Sequence, residues 1–103
     1  MIRGSLTDHK GRCIHYNSDV DIVSYRFPND PHYYPCYQCY EAIHGHFPRN
    51  KYNISSEEHA VLCGACKQTI AINEYVQVNH CPHCHHQFNP GCHDHFHLYF
   101  NMN

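Results

Sequence analysis

The feature that most constrains this chain is its supply of metal ligands, with eight cysteines and thirteen histidines in 103 residues. Six of the cysteines form three C-x2-C pairs, which are Cys36/Cys39, Cys63/Cys66 and Cys81/Cys84. Cys13 stands two residues before His15, and Cys92 opens a C-x2-H pair with His95. Because two residues between ligands let a tight turn aim both donors at one tetrahedral ion, the pattern predicts structural zinc.

The remaining composition offers little else to stabilise a fold. The hydrophobic share of 42% includes the cysteines and nine tyrosines, and the chain has no tryptophan. A chain with so few aliphatic residues needs cross-links to overcome the entropy lost on ordering. We therefore predict a small zinc-stabilised α+β or irregular domain, built from zinc knuckles and ribbon-like β-hairpins with little helix.

Disulfides are the competing cross-link, since the number of cysteines is even and the chain is short. The C-x2-C spacing is too short for a structural disulfide framework, and a mixture of cysteine and histidine also disfavours iron–sulfur or redox-active uses. Residues 1–12 are polar and contain no hydrophobic signal segment. The pattern favours zinc in an intracellular, reducing compartment, with the cytoplasm as the first expectation.

The charge pattern bears on the kind of partner. Seven Lys and Arg stand against nine Asp and Glu, which gives a formal charge of −2 with neutral histidine. Two divalent ions held by seven thiolates would lower this charge to about −5. The basic residues are scattered, which matches a phosphate backbone poorly, and no apolar run reaches membrane-spanning length. We expect a monomer that binds a protein partner and no membrane, with nucleic-acid binding as the least favoured alternative.

Two complete ligand sets can be assembled from the pairs. The four cysteines of the last two C-x2-C pairs make one set, and the 14 residues that separate those pairs are typical of a zinc ribbon. Cys13, His15, Cys36 and Cys39 make the other, although C-x-H is a weak motif by itself. Neither set leaves an open coordination position, and no catalytic triad, phosphate loop or H-E-x-x-H motif is present, so we expect no enzyme.

Several of these motifs together resemble the CHY-type zinc finger family. The resemblance rests on the C-x-H-Y tetrapeptide, the Y-Y-P segment before the first C-x2-C pair, and the motifs at 62–66, 81–84 and 88–92. It covers about residues 13–100, and it is nearest to small stand-alone members of the helper-of-Tim subgroup. The family resemblance implies a non-catalytic module that mediates protein–protein interaction. The subgroup instead implies a zinc-exchange or thiol-handling assembly factor for cysteine-rich partners, in the mitochondrial intermembrane space.

Two departures from the family pattern concern one site. The family usually has cysteine where Asn29 and Asp30 stand, and histidine directly after the first C-x2-C pair, where Tyr40 stands. Their joint absence suggests that one zinc site of the family was lost as a unit, which supports the first ligand set as a group. His46 matches a further histidine of the family.

Cys92 and His95 have no obvious partners in either set. One alternative is a third, histidine-rich site formed with His44 and His46. Another is exchange with the cysteines of the first C-x2-C pair, and a free cysteine near surface histidines is the last. We therefore expect two zinc ions, and a third only if this pair finds partners.

The expected organisation is a flexible leader, residues 1–12, followed by a single CHY-type zinc-binding domain, 13–103. Within that domain we predict a first zinc module at 13–47 and a zinc-ribbon-like module at 55–100. The expected elements are a strand at 20–27, a turn at 28–31, a short helix at 40–46, one helical turn begun by a capping box at 55–58, a strand at 68–78, and a strand or apolar cover at 98–100. Tyrosines 33, 34, 37 and 40 are expected to pack around the metals.

Overall fold

The computed structural model describes residues 2–4 and 6–102, apart from the side chains of Cys92 and His93. In chain order its elements are β1 (Val23–Arg26), β2 (Tyr33–Tyr34), α1 (Tyr37–His44), β3 (Val61–Cys63), β4 (Thr69–Ile70), α2 (Ile72–Tyr75), a 3-10 helix (Pro90–His95) and α3 (Phe96–Tyr99). This is a small domain with little helix, one antiparallel sheet and two cysteine-containing clusters, which confirms the predicted fold class.

The four strands form one sheet in the order β2-β1-β3-β4. A turn after Phe27 joins β1 to β2, and Asn29 adopts a positive φ of 66° there, a conformation that asparagine tolerates. Antiparallel pairing of Val23 with Cys63 then brings β3 beside β1. Strands from both predicted modules therefore share a single sheet, while the division into modules stays a prediction.

The N-terminal segment lies against this sheet. The backbone amide of Arg3 donates to the carbonyl of Tyr33 at 2.8 Å, and Ile2 forms a bridge with the same residue. Farther along, the amide of Thr7 donates to the carbonyl of Arg12, also at 2.8 Å. These contacts place the segment next to β2, and the flexibility assigned to residues 1–12 stays a prediction.

Aromatic rings make up much of the core. Tyr25 stacks on Tyr99 with ring centroids 3.8 Å apart, and its hydroxyl lies 2.9 Å from that of Tyr75. Of the four tyrosines expected in the core, Tyr34 is fully buried and the other three are partly buried. Stacked and edge-on rings with paired hydroxyls supply buried apolar area where the chain is short of leucine and valine.

Helix α1 begins at Tyr37, before the predicted start at Tyr40, because a metal-ligand candidate caps it. Cys36 is in an extended conformation, and its Sγ accepts a hydrogen bond from the amide of Cys39 at 3.4 Å. The helix ends at His44, two residues before the predicted end at His46, because Gly45 follows with a left-handed φ of 80° and donates its amide to the carbonyl of Glu41.

The predicted helical turn at 55–58 is wrong. Asn53 instead stabilises a turn, because its Oδ1 accepts hydrogen bonds from both the amide and the hydroxyl of Ser55. The amide of Glu58 then bonds the hydroxyl of Ser56, which satisfies the segment locally.

The predicted strand at 68–78 is wrong beyond Ile70. Strand β4 has only three residues of β3 to pair with, and the chain then turns into α2. Ile72 and Tyr75, three residues apart on that helix, are both buried in the core. Residues 98–100 belong to α3 and its end rather than to a strand, but Tyr99 and Phe100 do provide the expected apolar cover.

Candidate metal centres

The first cluster brings together Cys13, His15, Cys36 and Cys39, as the spacing predicts. The sulfurs of Cys13 and Cys36 lie 3.7 Å apart. Nδ1 of His15 lies 3.4 Å from the Cys36 sulfur and 3.5 Å from that of Cys39. All four ligand atoms lie within 4.8 Å of one another. A loop and the start of α1 thus aim four donors at one point.

Local backbone contacts hold these ligands in place. The amide of Cys13 donates to the carbonyl of Tyr16 at 3.0 Å, which closes the turn that carries His15. Gly4 packs directly on the cluster, because a Cβ there would lie 2.9 Å from the sulfur of Cys39. The N-terminal segment therefore covers this centre.

The second cluster contains Cys63, Cys66, Cys81 and Cys84, again the predicted set. The sulfurs of Cys63 and Cys84 lie 3.7 Å apart, and those of Cys66 and Cys81 are separated by the same distance. Two loops of like geometry, the turn after β3 and the turn at 82–84, supply one pair of donors each.

The two loops close in the same way. In the first, the amide of Lys67 donates to the carbonyl of Cys63 at 2.7 Å; in the second, the amide of His85 donates to Cys81 at 2.9 Å. Lys67 and His85 have positive φ values of 65° and 67°. A left-handed residue after each C-x2-C pair thus reverses the chain and leaves both sulfurs on the inside of the turn.

The donor geometry fits a tetrahedral ion. Sulfurs bound at about 2.3 Å to one tetrahedral ion are about 3.8 Å apart, and a bound imidazole nitrogen lies about 3.5 Å from each sulfur. The observed separations are 3.7 Å between sulfurs and 3.4–3.5 Å between nitrogen and sulfur. A disulfide needs about 2.05 Å, and the seven cysteines with described side chains are all free of one. Each cluster could therefore hold one metal ion.

The electrostatics of the thiols also indicate a cation. The hydrogen bond with Cys36 lowers the pKa of Cys13 to about 5, while that bond and burial raise the pKa of Cys36. Burial likewise raises the pKa of Cys63 and Cys66, whereas the backbone amide of His86 lowers that of Cys84. One cysteine of each cluster thus has a lowered pKa, and several thiolates within a few ångströms would repel one another without a positive ion.

The two clusters differ in solvent access. In the first, all three cysteines are buried and only His15 is partly accessible. In the second, Cys63 and Cys81 are buried, Cys66 is half-buried and Cys84 is exposed. The second centre therefore has one ligand residue, Cys84, that is exposed to solvent.

The remaining proposed ligands have other surroundings where they are described. The Nδ1–H of His46 donates to the carbonyl of Phe47 at 2.7 Å, and Nε2 of His44 lies 3.0 Å from the hydroxyl of Tyr34. His95 lines a surface cavity. Among the described side chains, none of the three belongs to a group of converging donors. Cys92 lies outside the described side chains, so the third site stays a prediction.

Sequence reasoning missed a polar network at the place where the family pattern departs. The hydroxyl of Tyr34 donates to Asp30 at 2.6 Å and contacts His44, while Tyr40 packs its ring 4.2 Å from the ring of His44. The signal was present, because Asp30 and Tyr40 are the two departures. The missing information was that they fold against each other through Tyr34.

No helix in the described ranges 2–4 and 6–102 has the length and apolar character needed to cross a membrane. No protein-family model and no solved structure matches the chain.

Three relatives match the chain over nearly its whole length. It is 36% identical over 104 residues to helper of Tim protein 13 of Saccharomyces cerevisiae, a match covering 96% of this chain and 89% of the relative. Identity to helper of Tim protein 13 of Kluyveromyces lactis is 38% over 101 residues, covering 97% and 88%. An uncharacterized protein of Schizosaccharomyces pombe is 36% identical over 103 residues, covering 96% and 88%.

Proposed function

The chain belongs to the helper of Tim protein family, and on that premise we propose that it is a zinc-binding assembly factor that exchanges zinc with cysteine-rich partner proteins. The name of the relatives indicates that they help Tim proteins. For this chain we take the partners to be Tim proteins and the compartment to be the mitochondrial intermembrane space. A metal-binding protein that assists assembly fits this family better than a cytoplasmic zinc finger does.

Zinc is the ion that the donor sets favour. Three cysteines with one histidine, and four cysteines, are both common ligand sets of tetrahedral zinc. Calcium and magnesium take oxygen ligands in larger coordination shells, and neither cluster offers a carboxylate. We assign one zinc ion to each centre, with His15 binding through Nδ1 in the first.

The observation that carries exchange is the exposure of Cys84 within an otherwise inward-facing set. Zinc passes between proteins by ligand substitution, in which an incoming thiolate binds before a resident one leaves. A buried ligand residue cannot be approached without opening the fold, whereas the exposed residue Cys84 can. We therefore assign exchange to the second centre.

The first centre favours the plainer role of a structural ion. Its three cysteines are buried, Cys36 caps α1, and Gly4 covers Cys39. Removing its ion would leave buried thiolates without a counter-charge at the junction of α1 and the sheet. A structural ion at the first centre would also suit the alternative function, a non-catalytic zinc finger whose surface binds a protein partner. We propose no catalytic step for either centre.

Stepwise chelation of the zinc-loaded protein tests the proposal. Native mass spectrometry should first show two zinc ions per chain. A chromogenic chelator added in steps at pH 7 should then release one equivalent while near-ultraviolet circular dichroism keeps its native form, and the second equivalent only with unfolding. Release of both ions in one step together with unfolding would mean that both are structural. One ion or none at the outset would contradict the ligand assignment itself.

A pair of variants identifies the exchanging centre. Cys84→Ser should remove the early equivalent and keep the late one, and the circular dichroism spectrum should stay close to native. Cys39→Ser, the matched change in the buried centre, should lose the late equivalent and the fold together. The reverse pattern would assign exchange to the first centre.

A further inference from the structure

A cavity of about 200 Å³ opens beside the first metal cluster. Val23 and Tyr25 form part of its floor, and because they are two residues apart on β1 they point to the same face of the sheet. Tyr99 extends the floor by stacking on Tyr25. One wall includes Tyr16 and Pro35, which neighbour cluster ligands in sequence. The 3-10 helix and its cap also contribute to the lining, through Asn89, Gly91, Asp94 and His95. We call this cavity the β1 pocket.

The lining of the β1 pocket, its rim included, carries two acidic side chains and one histidine, His95. Asp21 and Asp94 line it, and its described lining residues include no lysine or arginine. Asp21 is fixed in position, because one carboxylate oxygen accepts a 2.8 Å hydrogen bond from Asn89 and the other accepts two from Ser18. Asp94 is exposed on the 3-10 helix. An apolar floor beneath two carboxylates is an amphipathic receptor with a definite sign of charge.

We propose that the β1 pocket binds one large apolar side chain of a partner protein, aromatic or long aliphatic, from a segment that carries lysine or arginine next to it. A closed cavity of about 150 Å³ lined by aliphatic and aromatic side chains holds benzene. The β1 pocket, at about 200 Å³, therefore has room for a phenyl ring or a leucine side chain but not for a whole helix. The two carboxylates then face the neighbouring cations of the same segment.

The charge of the rim decides against other occupants. A phosphate backbone or an anionic lipid headgroup would meet Asp21 and Asp94, and the described lining offers no lysine or arginine against them, only His95. The chain as a whole is also acidic, at −2 before metal binding. A basic, apolar peptide segment is the macromolecular ligand that satisfies both floor and rim.

This inference rests on the proposed function only in taking the ligand to be a protein. It adds a docking site separate from the second metal centre, since none of that centre's four cysteines lines the pocket. Docking and exchange can therefore fail independently.

Short blocked peptides test the pocket on the full-length, zinc-loaded protein. The probes are Ac-Lys-Gly-Phe-Gly-Lys-NH2, the same peptide with alanine for phenylalanine, and the same peptide with glutamate for both lysines. Binding is followed through ¹H–¹⁵N amide shifts at Val23 and Tyr25. The first probe should give saturable shifts there, and each altered probe should bind at least about tenfold more weakly, since an aromatic anchor and close charge pairs are both interface hot spots.

Three variants make the test specific. Asp94→Lys should weaken the lysine probe about tenfold and strengthen the glutamate probe, whereas Glu74→Lys, the same charge change at an exposed residue of α2 outside the pocket, should leave both unchanged. Val20→Phe, at a half-buried lining residue, should fill the cavity and weaken the first probe.

Equal binding of the phenylalanine and alanine probes, equal effects of the two lysine variants, or no saturable shifts at millimolar peptide would overturn the inference. Zinc release to the chelator, measured on the same samples, tests the proposed zinc exchange separately. If the peptide probes do not bind but zinc is still released stepwise, only the proposal about the β1 pocket is contradicted, and the proposed zinc exchange stands.

Discussion

The hydroxyl of Tyr34 donates a 2.6 Å hydrogen bond to the carboxylate of Asp30. Tyr34 is fully buried on β2, and Asp30 lies in the preceding turn. The same hydroxyl lies 3.0 Å from Nε2 of His44 in the last turn of α1. Side-chain hydrogen bonds thus tie the turn, the strand and the helix together, at the place where the resemblance to CHY-type fingers had implied a further metal site.

Replacing Tyr34 by phenylalanine should test how much this network contributes. The ring would keep its packing, but Asp30 and His44 would lose their common partner. Hydrogen bonds to charged groups contribute about 1.5–3 kcal/mol, so we expect the free energy of unfolding of the zinc-loaded protein to fall by about 2 kcal/mol. Urea denaturation followed by circular dichroism measures it. Tyr40→Phe, which removes a hydroxyl from a partly buried ring of the same group, is the control and should change stability less.

The pH dependence of the Asp30 contribution has a definite sign. Burial raises the pKa of Asp30, but the hydrogen bond from Tyr34 and the amide of His32 outweigh it and leave the pKa lowered. A lowered folded-state pKa stabilises the fold above the unfolded value of about 3.9, and this stabilisation is lost as the pH falls through the folded value. The stability difference between wild type and Asp30→Asn should therefore be present at pH 5 and above and should shrink as the pH falls below about 4. A change of that difference between pH 7 and 6 would assign the effect to a histidine instead.

Ser24 presents the opposite situation, a hydroxyl that the fold does not use. It is fully buried on β1, and within the described part of the chain its Oγ has no hydrogen-bond partner. An unsatisfied buried polar group costs about 1–3 kcal/mol, so Ser24→Ala should raise the free energy of unfolding by about 1 kcal/mol. Thermal melts of zinc-loaded samples measure this. Ser18→Ala, which removes a 2.7 Å hydrogen bond to Asp21, is the matched control and should not stabilise.

The four-cysteine set was predictable from sequence because it depends on spacing alone. A C-x2-C pair forms its turn from local backbone geometry, as the repeated left-handed residue after Cys66 and Cys84 shows. The same locality explains why α1 stops at Gly45, only two residues short of its predicted end. Grouping Cys13 and His15 with the first C-x2-C pair needed one further step, the pattern of departures from the family.

The short strands and helices were less predictable because tertiary pairing decides them. The run after Gln68 is apolar and partly β-branched, yet only Thr69–Ile70 forms a strand, since β3 offers only three residues as its partner. The start of α1 was misplaced because Cys36 acts as a cap, a role that ligand spacing does not reveal. The β1 pocket involves β1, the loop of the first cluster and the 3-10 helix, whose association no local pattern encodes.

Two glycines should respond to alanine in very different ways. A Cβ at Gly64, inside the second centre's first loop, would lie 1.6 Å from the carbonyl oxygen of Lys10 and 2.8 Å from that of Ile22. Backbone atoms cannot yield as a side chain does, so Gly64→Ala should lower zinc content to one ion or prevent folding. At Gly45 nothing lies within 4 Å of the added atom, and the φ of 80° alone should cost about 1 kcal/mol. Zinc content by native mass spectrometry and urea melts measure the two effects, and similar losses in both variants would contradict this reading.

Limited alkylation should reveal the order in which the ligand cysteines become accessible. Cys84 is the exposed ligand, whereas Cys13, Cys36 and Cys39 are buried. We expect one equivalent of N-ethylmaleimide on the zinc-loaded protein to label Cys84 before any cysteine of the first cluster, with release of about one zinc ion. Peptide mapping by mass spectrometry locates the label, and a Cys92→Ser background removes the cysteine that is not among the seven described ligand candidates. Labelling of Cys13 or Cys36 first would show that the buried centre opens more readily than the exposed one, and exchange would then have to be assigned there.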